Sequence, residues 1–107
     1  MALVLVSCGA SSSQPKVLLT AVGNGTAKVE TIDASKAWEV LWRYNCAPTG
    51  VFAMDVLHAD GTPDFDHPGI NEEGDSDSGT YRVPEAGRFY LEVTTTCSWT
   101  VKIEEPG

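Results

Sequence analysis

Polar and apolar residues alternate along most of this 107-residue chain, and alternation with a period of two marks a strand with one buried face. Over residues 37–46, Trp38, Val40, Trp42, Tyr44 and Cys46 share one parity while Glu39, Arg43 and Asn45 take the other. Residues 50–58 repeat the pattern, with Phe52, Met54 and Val56 on one side and Asp55 opposite. Near the end, Phe89, Leu91 and Val93 alternate over 88–94, and Trp99, Val101 and Ile103 over 98–104; 80–83 is a shorter piece. At the start, the apolar run 17–22 and the segment 26–32 flank Gly23-Asn24-Gly25. Asn-Gly supplies the positive φ angles of a tight turn, so these two strands are expected to pair as an opening hairpin. Asp33 could cap a helix over 33–37, but one turn is the most that fits there.

About seven short strands separated by turn signals predict an all-β fold, an antiparallel two-sheet β-sandwich occupying residues 17–105, jelly-roll-like in form. One stretch resists the pattern. Residues 60–79 are rich in Gly, Pro and Asp without a sustained apolar period, and so read as a long loop, which in a compact domain is functional or mobile. The ending Gly87-Arg88-Phe89-Tyr90-Leu91-Glu92-Val93, followed by Cys97-Ser98-Trp99-Thr100-Val101, resembles the C-terminal strands of small jelly-roll domains in secreted bacterial proteins, including pre-peptidase C-terminal domains. It is also similar to actinobacterial lipoproteins with a Cys pair and a terminal Trp-x-Val segment. Both resemblances imply an accessory or binding role, and neither supplies a catalytic residue.

Residues 1–16 have a different character. Leu5-Val6-Ser7-Cys8, followed by Gly9-Ala10-Ser11-Ser12-Ser13-Gln14-Pro15, resembles a bacterial lipobox joined to a flexible tether. That resemblance implies lipidation of Cys8 and attachment to the outer surface of the cell membrane. Only seven residues precede Cys8 and none is basic, whereas a complete signal has a basic start and a longer apolar core, so a truncated signal is expected. Residues 1–15 are expected to be disordered when the protein is made without lipid. No apolar run approaches the roughly twenty residues of a spanning helix.

The three cysteines fit this division. In a secreted context Cys46 and Cys97 read as a disulfide, leaving Cys8 for the lipid. Two buried thiols or a metal pair are the alternatives, although no Cys-x-x-Cys spacing is present.

Charge narrows the partners. Acidic residues outnumber basic ones 15 to 7, for a formal net charge of −8, which argues against nucleic acid, since phosphate binding draws on clustered Lys and Arg. Seven of the acids fall within 60–79, where there is no Lys or Arg. Crowded carboxylates attract a hard cation, so Asp60, Asp64, Asp66, Asp75 and Asp77 form a candidate calcium set. The EF-hand spacing is missing, and the simpler expectation is a solvated acidic loop. His58 and His67, with Asp60 and Asp66, make a conceivable zinc set, but both histidines are expected to be exposed.

Catalysis finds little footing. No serine stands in a Gly-x-Ser-x-Gly context, and a body near ninety residues offers little wall for a cleft. Trp38, Trp42 and Trp99 share the parity of core residues and are expected to be buried rather than to form a sugar platform. The chain therefore reads as a lipid-anchored extracellular envelope protein, a non-catalytic binding or structural module for an extracellular protein or glycan. The alternative is a calcium-dependent adhesion or carbohydrate-binding domain using the 60–79 loop.

Overall fold

A computed structural model describes residues 14–107, in which six strands follow one another: β1 (Lys16–Asn24), β2 (Ala27–Ala34), β3 (Trp38–His58), β4 (Ile70–Val83), β5 (Gly87–Thr95) and β6 (Ser98–Glu105). Among the described residues there is no helix, so the expected turn at 33–37 is absent. The lipobox and most of the tether lie outside the described residues.

The two strands expected over 37–46 and 50–58 are one 21-residue strand, β3. Its Pro48-Thr49-Gly50 segment does not end it. Instead the register against β4 shifts between Asn45 and Gly50, and the surplus residues form a bulge that bends the strand. On one side of β3, β6 pairs with Glu39–Asn45 and β5 with Phe52–His58; β1 then pairs with β6, and β2 with β5. On the other side β4 follows β3 across the bend. The result is a single antiparallel sheet, nearly barrel-like, folded so that its two halves face each other as a sandwich. One leaf holds β1, β6, the first half of β3 and the second half of β4. The other holds β2, β5 and the remaining halves.

This topology corrects the opening hairpin. Gly25 does adopt a positive φ of 95°, yet β1 and β2 pair with β6 and β5 and not with each other. The turn carries the chain across the fold line between leaves. There the Gly25 amide donates to the Cys97 carbonyl (3.0 Å), and the Trp99 indole Nε1 donates to the Gly25 carbonyl (2.8 Å). Cys46 in the β3 bend and Cys97 between β5 and β6 are bonded, with Cα atoms 4.4 Å apart. The disulfide thus staples the spine.

Between the leaves, Trp38, Val40, Phe52, Met54, Leu91, Val93, Val101 and Ile103 are fully buried, as their parity predicts. Trp38 meets Phe89 across the sandwich with centroids 5.2 Å apart, and Tyr44 stacks on Phe52 at 5.0 Å. Each large apolar side chain removed from water in this way stabilises the fold by about 1.5–3 kcal/mol.

The expected 60–79 loop is shorter than its composition suggests. Only 59–69 connect β3 to β4, and Ile70–Val83 is an edge strand. Two facts hid it. Its inward positions include Gly74 and Gly79, and Trp42, the cross-strand partner of Gly79, lies where a side chain would stand, 2.6 Å from an added Cβ. Its outward positions, among them Asn71, Glu73, Asp75, Asp77, Thr80 and Arg82, are polar or charged, which suits an exposed edge that must resist pairing with another chain.

Candidate binding loop and carboxylate cluster

The 59–69 segment folds back over the outer face of β3. Asp60 starts the turn, its Oδ1 accepting the Thr62 amide (2.9 Å) and hydroxyl (2.7 Å), the local bonding that makes Asp a turn residue. These bonds, the hydroxyl's first, hold the Asp60 carboxyl below its usual range. The His58 amide donates to the Thr62 carbonyl and the Asp64 amide to the Val56 carbonyl. Pro63 bridges Leu57, so Leu57 is buried although it lies on the outward parity of Asp55. At the far end Gly69 donates its amide to the Tyr81 hydroxyl (3.0 Å). Its φ of 89° and the Met54 carbonyl pressed against its α-carbon leave no room for a side chain.

At the tip of this pinned loop Phe65 is 87% exposed. Beneath it lies a pocket of about 320 Å³, walled by Leu57, Pro63, Phe65 and Pro68 and floored by Asp55 and Glu92. Asp55 and Glu92 are register partners on β3 and β5. Lys28, the register partner of Glu92 on β2, lies over the Tyr90 ring, 5.7 Å from its centre. Burial, and then the Glu92 charge, push the Asp55 carboxyl above its ordinary range. Elsewhere facing acids have cations: Glu39 faces Glu104, but Arg82 lies 3.5 Å from the first and Lys102 3.7 Å from the second.

Behind the loop sits a second constellation. Asp64 and His67 are buried, with Asp64 Oδ2 3.0 Å from His67 Nδ1, while Asp64 Oδ1 accepts the Asp66 amide at 3.1 Å. Burial pushes the Asp64 carboxyl up, but the bonds from His67 and the Asp66 amide outweigh it and the net shift is downward. Glu85, exposed in the β4–β5 connection, brings a carboxylate oxygen to the pair, and the three candidate ligand atoms lie within 4.8 Å of one another.

The structure separates the expected calcium set. Asp60, Asp64 and Asp66 lie in the 59–69 loop, whereas Asp75 and Asp77 lie on β4, five and seven residues beyond Ile70, where β4 passes the bend of β3. That is a span of about 17–23 Å along an extended strand. Several of these carboxylates are also already engaged: Asp60 with Thr62, Asp64 with His67, and Asp77 with the Ser78 amide. Of the two histidines, His58 is exposed as expected, but His67 is buried. The conceivable zinc set of His58, His67, Asp60 and Asp66 gives way to Asp64, His67 and Glu85.

Phe65, Asp55, Glu92 and Glu85 were not visible as site residues in the sequence. Phe65, the one large apolar residue between Pro63 and Pro68 in a polar stretch, was the available clue; the other three come together only through register and topology. Compared with protein-family models, with curated proteins and with solved structures, the chain matches none.

Proposed function

We propose that this chain is a non-catalytic extracellular binding module, held at the outer membrane surface by a lipid on Cys8, whose 59–69 loop captures a basic side chain presented by a partner protein. The observation that carries the reading is the pocket itself: an exposed aromatic, Phe65, on a hydrogen-bonded loop over the facing carboxylates of Asp55 and Glu92. Buried aromatic anchors flanked by charge are what protein interfaces use as centres of affinity. A guanidinium or ammonium entering the pocket relieves the repulsion between the two acids, and its aliphatic stem packs on Leu57, Pro63 and Phe65. A volume near 320 Å³ is at the small end of ligand sites and suits one side chain. Neutral sugar hydroxyls would leave the acid pair uncompensated, and the −8 net charge draws a cationic partner from a distance. The address is supported by the Cys46–Cys97 pairing, which leaves Cys8 as the odd cysteine and is weakly compatible with an oxidising compartment.

The test is an amide-shift titration with the peptide acetyl-Ala-Leu-Arg-Leu-Ala-amide. Saturable shifts at Asp55, Leu57, Phe65 and Glu92, lost with Gln in place of the peptide's Arg and lost in Phe65→Ala, support the reading. Shifts spread equally along the acidic edge of β4, or no shifts, overturn it. Attachment is tested separately, by the mass of Cys8 in protein taken from the membrane fraction of the cell that makes it.

A further inference from the structure

We infer that Asp64, His67 and Glu85 form a binding site for a divalent transition metal of the zinc type, one that ties the 59–69 loop to the β4–β5 connection. The donor set is right for such an ion. An imidazole nitrogen and two carboxylate oxygens are ligands that zinc accepts, with water completing a four-coordinate site, whereas calcium prefers six to eight oxygens.

The geometry is close to closed. In tetrahedral zinc sites, bonds of about 2.0–2.2 Å put the ligand atoms roughly 3.3–3.6 Å apart. His67 Nδ1 and Asp64 Oδ2 are already at 3.0 Å, and the full set spans no more than 4.8 Å. A metal at this position takes the place of the proton between Nδ1 and Oδ2, and the neutral ring then carries its proton on Nε2. Glu85 need only swing its exposed side chain inward. Among the described residues its carboxylate makes no hydrogen bond or ion pair that this movement would break.

Two of the three ligands are held in advance. Asp64 and His67 are both buried, and besides their mutual bond the His67 amide donates to the Asp64 carbonyl (3.1 Å) while the Asp66 amide holds the second Asp64 oxygen. Two buried ligands and one exposed carboxylate make a site open to an incoming ion. Its place in the fold gives it a purpose. The disulfide fixes the spine of the folded sheet, while the loop and the β4–β5 connection lie at the opposite, open end, where β3 finishes at His58 against Phe89 and β4 at Val83 against Trp38. A metal here staples that end, and it fixes the base of the loop carrying Phe65. The inference does not rest on the peptide reading, because zinc and peptide are titrated separately.

The experiment is calorimetric titration of the metal-free protein with ZnCl2, using MgCl2 and CaCl2 as controls, beside thermal unfolding. One equivalent of zinc should bind, raising Tm, with magnesium and calcium giving no saturable heat. His67→Ala could fail to fold, so the deciding variant is Glu85→Gln, whose side chain is exposed. It should keep the metal-free Tm and bind zinc at least tenfold more weakly. Long-range 1H–15N spectra supply an independent readout, since zinc should move the Nδ1 resonance of His67 and leave His58 unchanged. Equal zinc affinity in the wild type and Glu85→Gln, perturbation of His58 alone, or no saturable binding would each overturn the site.

Discussion

The Glu105 carboxylate, at the end of β6, accepts the backbone amide of Ser35 at 2.7 Å and its hydroxyl at 3.0 Å, joining residues seventy positions apart. Glu105 continues the inward parity of Trp99, Val101 and Ile103, so its acid lands where another core residue would stand and is satisfied by the β2–β3 corner. The Ser35 amide bond is the chief cause that holds its carboxyl below the ordinary value near 4.5. A depressed acid contributes stability that is complete above its unfolded pKa and disappears as pH falls through the folded one. Glu105→Gln should therefore lower the urea midpoint at pH 7, and the gap to wild type should narrow as the pH is lowered to 3. A gap of equal size at both pH values would show that the charge is not what Ser35 recognises.

Reduction of Cys46–Cys97 releases a cross-link between residues 51 apart. In the chain-entropy model a loop of that size is worth about 4 kcal/mol, a large share of the 5–15 kcal/mol that single domains possess. Urea unfolding with and without dithiothreitol, and of Cys46→Ala/Cys97→Ala, should show a loss of this order. Superimposable curves would mean that the aromatic packing at the bend, Tyr44 on Phe52, holds the spine unaided.

Much of the sandwich was legible because its inward residues are large. Trp38, Val40, Phe52, Leu91 and Val101 announce their faces by parity alone, and all are fully buried. What was illegible has a common cause, a residue whose role is set by its cross-strand partner. Gly79 is an inward position filled by the Trp42 ring, so β4 read as loop. Gly25 has the backbone of a hairpin turn, but β6 and β5 had already taken the edges of β1 and β2. The site failed in the same way. Asp64 and His67, three apart, could be suspected from the sequence, whereas Glu85 reaches them only through the β4–β5 connection, and Asp55 meets Glu92 only in one register.

That register carries its own prediction. Because burial and the Glu92 charge raise the Asp55 carboxyl, the folded state holds this proton more tightly than the unfolded state, and stability falls as pH rises through the folded pKa. The penalty is then fully present at neutral pH. Asp55→Asn should raise Tm at pH 7 by a small amount and flatten the pH dependence on the acid side of neutrality. A lower Tm would mean that the carboxylate is stabilising as it stands, and the cation-seeking character assigned to the pocket would fall with it.

Gly69 closes the loop under the tightest steric condition of any glycine among the described residues. Its φ of 89° is costly for any residue with a Cβ, and an added methyl would collide with the Met54 carbonyl, a backbone atom inside the β3–β4 ladder that cannot rotate away. Strain of this kind costs about 1–3 kcal/mol before the collision is counted. Gly69→Ala should lower stability by at least that much, and the damage should be local. Hydrogen exchange should quicken at the Asp64 and Gly69 amides, which bond to the Val56 carbonyl and the Tyr81 hydroxyl, while amides at the spine such as Gly25 keep their protection. If the loop amides exchange as slowly as in wild type and Tm is unchanged, the 59–69 segment is not the rigid platform for Phe65 that its hydrogen bonds imply.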